Sequence, residues 1–440
     1  MDAALPSQAR ASEPSFAELL AARPWLSAAP DVGLMLDGVP LASLAREHGT
    51  PLWVYADSVL TARYRALATA LGAAKLPARI HFALKANDTL ALLRRLAALG
   101  AGADVVSVGE YEAARRSGFA PEAIVFSGVG KTDAEIATAL AGGIGQINVE
   151  SAEELARVAA IAARLGLRAP VALRVNPDVD AGTHAKITTG KADNKFGIPF
   201  DRIVPLYEQA AGTPSLRPVG LAVHIGSQIL TLEPYRRAYG RVADLVRTLL
   251  AHGLPVERID VGGGLGIPYG TEPAPLPAAF AAALQQAFGA FRLPLILEPG
   301  RWLVGPAGLL LSRVVLQKQG AARRFVVLDA GMNDLLRPAL YEAWHGIVPV
   351  AAGRLHAPVA PADVVGPVCE TGDTFARQRP LPDFALGDLV AILDAGAYGS
   401  VMSSTYNLRP RAAAVLIEGG TARLVRRRQT IDELLAHDVD

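Results

Sequence analysis

The chain has 440 residues, a formal net charge of +1 and 19% charged residues. This suits a globular protein with one large domain plus a second, or two to three smaller ones, and gives no electrostatic case for nucleic acid or an anionic membrane. The single cysteine, Cys369, excludes an intrachain disulfide; the opening MDAALPSQARASEPSF lacks the apolar core of a secretory signal, and stretches such as GLLLSRVVL are cut by charge well short of the roughly 18 residues a membrane span needs, so the cytoplasm is the expected compartment.

Residues 1–30, rich in Ala, Pro and Ser, read as a loosely ordered lead-in. The next segment, residues 31–50 within GLMLDGVPLASLAREHGTPLWVYA, is expected to add a strand to a C-terminal β domain. From 51 to 304, short apolar or β-branched runs alternate with Ala-, Leu-, Glu- and Arg-rich helical stretches. The strand candidates are RIHFAL (79–84), ADVVS (103–107), AIVFS (123–127), GQINV (145–149), PVALRV (170–175), GLAVHI (220–225), RIDVG (258–262) and LILEP (295–299). Two helix starts carry a capping box, Thr132 with Glu135 and Ser151 with Glu154. Eight strand-then-helix units predict an α/β fold, a (β/α)8 TIM-type barrel, over a doubly wound sheet. From 305 to 440 the texture changes to short strands with Gly and Pro turns, which predicts an antiparallel β-sandwich or barrel domain.

Active sites of such barrels lie at the C-terminal strand ends. There the first strand delivers Lys85, the second leads to Ser107 and Glu110, the fifth carries Arg174 and Asn176, and the sixth offers His224 and Ser227. The seventh ends in Gly262, Gly263 and Gly264, and the eighth in Glu298, Gly300 and Arg301. A strand-end lysine is ordinarily solvated or ion-paired. Lys85 is one of only seven lysines, and an apolar strand presents it in a barrel mouth, where partial desolvation favours the neutral amine as a Schiff-base nucleophile. The matching aldehyde is pyridoxal 5'-phosphate. DVGGGLGIPYG lets backbone N–H groups approach an anion, and Glu298 suits the ring nitrogen, keeping it protonated as an electron sink. His224 suits the ring face. Neither nucleotide motif survives inspection: Ile267 stands where a Rossmann fingerprint needs its third glycine, and Val125 where VFSGVGKTD would need the first glycine of a Walker loop.

FALKAN, GADVVSVGEYEAA, NPDVDAGTHAKITTGKADNKFGI, HIGSQ, DVGGGLGIPY, EPGRWLV, LRPALYEAWH, GPVCETGDTF and GAYGSVMSSTYNLRPR together resemble the diaminopimelate decarboxylases, members of the alanine-racemase-like (fold type III) pyridoxal phosphate enzymes. The resemblance runs from about 35 to 430. It implies that Lys85 holds the cofactor aldehyde, that His224 stacks on the ring, and that Ser227, Gly262, Gly263, Gly264, Gly300 and Arg301 surround the phosphate region. Glu298 meets the ring nitrogen, and Asp104 and Glu110 match polar positions of the same pocket. Arg301, Arg337 and Tyr341 are implied to meet substrate carboxylates, and Tyr398 the cofactor phosphate and substrate. Cys369, as proton donor, and Glu370, as contact to the distal amino group, are implied to come from the neighbouring subunit of a head-to-tail homodimer.

The implied reaction is decarboxylation of meso-2,6-diaminopimelate at its D-configured centre to L-lysine and CO2, with no metal. Arginines for two carboxylates and Glu370 for a distal ammonium suit that substrate. Rival readings are a related decarboxylase for ornithine, arginine or carrier-bound glutamate, and a non-catalytic decarboxylase-like binding protein. The block THAKITTGKADNKFGI favours diaminopimelate over the first, and the presence of Lys85 and Cys369 disfavours the second. A racemase on this barrel is expected to carry arginine at the ring nitrogen, where this chain has Glu298.

Overall fold

The computed structural model describes residues 13–180 and 195–439. The chain divides into two units: one formed by Thr61–Ile267 and Pro273–Leu303, the other by the chain up to Leu60, Pro268–Glu272 and the chain from Val304 onward. No described helix is long and apolar enough to cross a membrane.

The first unit is a closed ring of eight parallel strands: β1 (Ala78–Ala83), β2 (Gly102–Val105), β3 (Ile124–Phe126), β4 (Gln146–Val149), β5 (Ala169–Asn176), β6 (Leu216–Val223), β7 (Arg258–Asp260) and β8 (Leu295–Leu297). Each pairs with the next, and β8 returns to β1 through Leu295 opposite Ala78. All eight sequence-predicted strands are present. They are buried almost end to end, as expected of parallel strands covered by helices on their outer face.

Helix starts follow local chemistry. Thr132 and Glu135 form the expected reciprocal cap of Asp133–Ala141. At Ala152–Leu165 only half of the expected box forms. Ser151 accepts from the Glu154 N–H, but the Glu154 carboxylate turns to the Glu150 N–H (2.7 Å) and the buried Lys131 ammonium (2.8 Å). A buried cation outbids an exposed backbone donor, since leaving Lys131 unpaired there would cost several kcal/mol, on the order of 3–5. Lys131 also donates to the Gly128 and Asn148 carbonyls, so the lysine of VFSGVGKTD is structural.

The second unit is β-rich. Its main sheet runs in the order Thr374–Leu381, Ala360–Val365, Arg324–Leu328, Gly308–Gln319, Leu52–Ala56, Ala413–Glu418 and Thr421–Arg426. Leu389–Ile392 adds to Gly308–Gln319 and carries Ile347–Pro349 beyond it. Most pairs are antiparallel; Arg324–Leu328 with Ala360–Val365, and Leu52–Ala56 with Ala413–Glu418, are parallel.

Two sequence expectations about the N-terminal part change. Leu52–Ala56, counted with the barrel by the boundary at 51, lies inside this sheet because its five buried residues have both edges paired, to Gly308–Leu311 and to Ala413–Ile417. Residues 13–30 are not a loose lead-in: Ser15 and Glu18 cap the helix Phe16–Ala21, and Leu26–Ala29 pairs with Gly33–Leu36. Arg23, 3% exposed, anchors this segment by donating to Asp394 Oδ2 and to the Leu19 and Tyr269 carbonyls.

Candidate active site

Strand alternation places every second side chain inside the barrel, and here many of those are polar. Lys85 follows β1 in the short turn Leu84–Ala86 and donates to Asp104 Oδ2 at 2.7 Å. The lysine side chain is 35% exposed and the Asp104 side chain 0%. The amine is therefore half-open and ion-paired to a fully buried carboxylate, not a fully solvated surface charge.

Across the same mouth Glu298, 7% exposed, follows β8, and its N–H donates to the Gly262 carbonyl. Burial, followed by the negative charges of Asp104 and Asp260, holds its carboxyl pKa well above the usual range. His224, after β6, accepts the Gly263 N–H at Nδ1 (3.2 Å). Burial and the Arg174 and Lys85 charges push its pKa well down, so the ring is neutral. Arg174 is tied to Glu150 at 2.6 Å, and the second Glu150 oxygen accepts the Gly197 N–H.

The glycine run is set by crowding. A Cβ on Gly262 would lie 2.1 Å from the Val223 carbonyl oxygen, on Gly263 2.1 Å from that of Glu298, and on Gly264 2.2 Å from that of Gly226. Gly262 and Gly264 also have positive φ (70° and 93°). Gly300 meets the lysine turn, with a Cβ falling 2.8 Å from Ala86 Cβ. Arg301 is buried at the start of the short helix Arg301–Val304, and Ser227 is half-buried beyond β6. Ser107 caps Val108–Arg116 by accepting the Glu110 N–H, and the Glu110 carboxylate accepts the Val106 N–H; burial pushes its pKa up to about 7.

The remaining expected residues belong to the β-rich unit. Arg337, buried, donates to His345 Nε2 (2.6 Å), while His345 Nδ1 donates to the Leu393 carbonyl. The Arg337 guanidinium also lies 4.7 Å from the Tyr269 ring centre. Tyr341 closes the same short helix, Arg337–Tyr341, and Tyr398 has a positive φ of 54°. Cys369 is exposed in the turn after Ala360–Val365, with its N–H donated to Asn407 Oδ1; Glu370 follows, and the Tyr406 hydroxyl bonds to its carboxylate. Residues 181–194, most of the block that favours diaminopimelate, lie outside the described residues.

Several polar residues of the barrel interior were not among the sequence candidates: Gln146 and Asn148 on β4, Glu150 beyond it, and Arg258 and Asp260 on β7. Their signal was present as alternation, polar at every second position in QIN and RID. The described residues hold no cluster of His, Cys, Asp and Glu able to bind a metal. The donor set instead fits pyridoxal phosphate: an accessible amine for the aldehyde, a buried carboxyl facing the opposite end, a neutral imidazole, and a glycine run too tightly packed for any side chain.

The family model described as "Pyridoxal-dependent decarboxylase, pyridoxal binding domain" matches residues 58–305. The chain therefore belongs to the pyridoxal-dependent decarboxylases. Its relatives narrow the class: it is 47% identical to the diaminopimelate decarboxylase of Zymomonas mobilis over 91% of this chain and 96% of that one, and 47% identical to that of Pseudomonas aeruginosa over 92% and 97%. The crystal structure of the Helicobacter pylori diaminopimelate decarboxylase complexed with L-lysine superposes with a TM-score of 0.87 at 39% identity, covering 90% of this chain and 98% of that one. Within the class, the chain belongs to the diaminopimelate decarboxylases.

Proposed function

We propose that this enzyme decarboxylates meso-2,6-diaminopimelate to L-lysine and CO2 with pyridoxal phosphate, a carboxy-lyase step that closes lysine biosynthesis. The observation that carries the reading is the pairing, across one barrel mouth, of the Lys85 amine held by Asp104 with the buried carboxyl of Glu298. When bound, the cofactor supplies an electron sink for the carbanion left by loss of CO2.

The chain's own groups do the rest. Lys85 would hold the cofactor through its aldehyde and give that carbon up to the substrate's amino group, regaining its free amine. Glu298 meets the ring nitrogen, and neutral His224 packs on the ring without adding charge. Asp104 and Glu110 line the pocket, while Ser227, Gly262 to Gly264, Gly300, Arg301 and Tyr398 surround the phosphate. Arg301, Arg337 and Tyr341 take the substrate carboxylates, for which a guanidinium fork suits a planar anion. Glu370 takes the distal ammonium, and the Cys369 thiol gives a proton to the carbon that lost CO2. Cys369 and Glu370 act in the partner's site of a head-to-tail homodimer, and the working compartment is the cytoplasm.

Turnover with meso-diaminopimelate, followed as CO2 and L-lysine against LL-diaminopimelate, ornithine and arginine, tests the substrate; equal or faster turnover of a control refutes it. Mixing Lys85→Ala with Cys369→Ala tests the shared site. Random reassembly gives half heterodimers with one intact site each, about a quarter of wild-type activity. No recovery after subunit exchange would refute sharing across the interface.

A further inference from the structure

Directly below Glu298 the barrel holds a second carboxyl. Asp260, the last residue of β7, is 1% exposed and hydrogen-bonded to Glu298. The polarity of its surroundings is fixed from the other end of the barrel, where Arg258 lines a cavity of about 370 Å³ with His81, Arg79 and Gln146. A guanidinium only donates. Arg258 Nε gives its hydrogen to Gln146 Oε1 (2.8 Å), so the Gln146 amide nitrogen points onward, donating to Asn148 Oδ1 (2.8 Å) and Asp260 Oδ2 (3.1 Å). Asn148, its oxygen occupied, donates through Nδ2 to Asp260 Oδ2 and Ser127 Oγ (3.1 Å each), with Glu298 Oε1 at 3.5 Å. The Gly262 N–H donates to Asp260 Oδ1 (3.0 Å).

Asp260 thus accepts three N–H groups, while Glu298 receives only the long contact from Asn148. Among the described residues neither carboxyl has an ion pair. The charged or titratable groups facing Asp260 are Asp104, Arg258, Glu298 and the Tyr239 hydroxyl; those facing Glu298 are Asp104, Asp260 and Lys85. Two contiguous buried carboxyls do not both ionise cheaply, and the donors decide which one stays charged.

We propose that Asp260 is a positioning residue of this enzyme: it stays a carboxylate, accepts the hydrogen bond of the one proton that Glu298 carries while the pocket is empty, and, once that proton lies on the ring nitrogen of the bound cofactor and Glu298 is ionised, supplies the second negative charge that keeps it there. This rests on the reading that Glu298 meets that nitrogen. The N–H donors that converge on Asp260 then act as a scaffold, holding its negative charge beside Glu298 and leaving the proton to Glu298.

The test begins with cofactor-free protein. Infrared difference spectra between the protein and its Glu298→Gln variant, both carrying Glu110→Gln and followed across a pH titration, are expected to show a protonated-carboxyl stretch that belongs to Glu298. In Asp260→Asn, which keeps the shape and loses the charge, the midpoint of that signal should fall by at least about one pH unit, a tenfold change in proton affinity. In the holoenzyme the alkaline limb of kcat should move the same way, with KM little changed. If Asp260→Asn does not fold, Asn148→Ser, which withdraws donors from Asp260 and keeps both carboxyls, should move the midpoint upward. An unmoved midpoint, or the absence of a band sensitive to Glu298→Gln, overturns the proposal. Failure of the underlying reading looks different: Glu298→Gln would leave the bound-cofactor absorption spectrum and kcat unchanged while the infrared shift remained.

Discussion

Three glycine-to-alanine variants separate the two reasons the loop after β7 excludes side chains. Gly253 has a φ of 72° with nothing within 4 Å of a built Cβ, so alanine there meets only the left-handed backbone cost, about 1–2 kcal/mol. Gly263 lies outside the left-handed region but its Cβ would fall 2.1 Å from the Glu298 carbonyl oxygen, a backbone atom that cannot swing aside, which costs about 1–3 kcal/mol as overpacking. Gly262 combines a φ of 70° with a Cβ 2.1 Å from the Val223 carbonyl oxygen, so the sum is about 2–5 kcal/mol. In a unit of this size each kcal/mol lowers Tm by about 2–4 °C. Thermal denaturation by circular dichroism should therefore order the variants Gly262→Ala, Gly263→Ala, Gly253→Ala from most to least destabilised. Gly263→Ala should weaken cofactor retention out of proportion to its Tm loss, because the displaced carbonyl belongs to Glu298, while Gly253→Ala should leave retention intact. A Gly263→Ala protein as stable and as well loaded as Gly253→Ala would refute steric closure as the reason for the glycine run.

Two buried titratable groups predict opposite pH slopes. Glu110 has its pKa raised from an ordinary 4.5 to about 7, first by burial, so the stability it allows is complete below pH 4.5 and is lost as pH rises through 7; Glu110→Gln should flatten urea-unfolding stability across that window. His81 has its pKa lowered from 6.5 to about 4 by burial and then by Arg79; its stability is present above pH 6.5 and lost as pH falls through 4, and His81→Gln should flatten the acid side. A slope unchanged in either variant sinks that assignment. In the β-rich unit, Arg23→Met removes the buried ion pair with Asp394 and should cost about 3–5 kcal/mol, read as a lower Tm that Arg23→Met with Asp394→Asn, which keeps the positive φ of 53° and drops the charge, partly restores.

Sequence reading reached the barrel because each strand was an apolar run closed by a turn residue, and the residues just past those runs, Lys85, His224 and Glu298, were visible as interruptions. It missed Gln146, Asn148, Arg258 and Asp260 because a polar residue inside a short strand looks the same whether it faces solvent or a closed interior; only the ring closure decides. Thr374–Leu381 carries a weaker signal still, since TFARQRPL breaks the alternation of a half-buried strand with the polar run Arg377, Gln378 and Arg379 and then a proline. Leu52–Ala56 was assigned to the wrong unit because a five-residue run buried on both faces fits a parallel barrel and a sheet interior equally well. The roles of Cys369 and Arg337 rested on family resemblance alone: an exposed thiol and a buried guanidinium hydrogen-bonded to a histidine carry no local sequence signal.

The position of Leu52–Ala56 between Gly308–Gln319 and Ala413–Glu418 also bears on how the protein is made. This strand leaves the ribosome early, yet its second edge waits for residues some 360 positions later, on the order of 20–70 s at ordinary synthesis rates of about 5–20 residues per second. Until Gly308–Leu311 emerges the barrel segment has all its own strand partners, whereas LWVYA has none, and after that one of its edges still waits for Ala413–Ile417. Biogenesis therefore runs inside out, with the middle of the gene product maturing before its beginning. The nascent chain must shelter one apolar strand for most of translation, which makes that strand the natural contact for a holding chaperone and the first place where a stalled or truncated chain would aggregate.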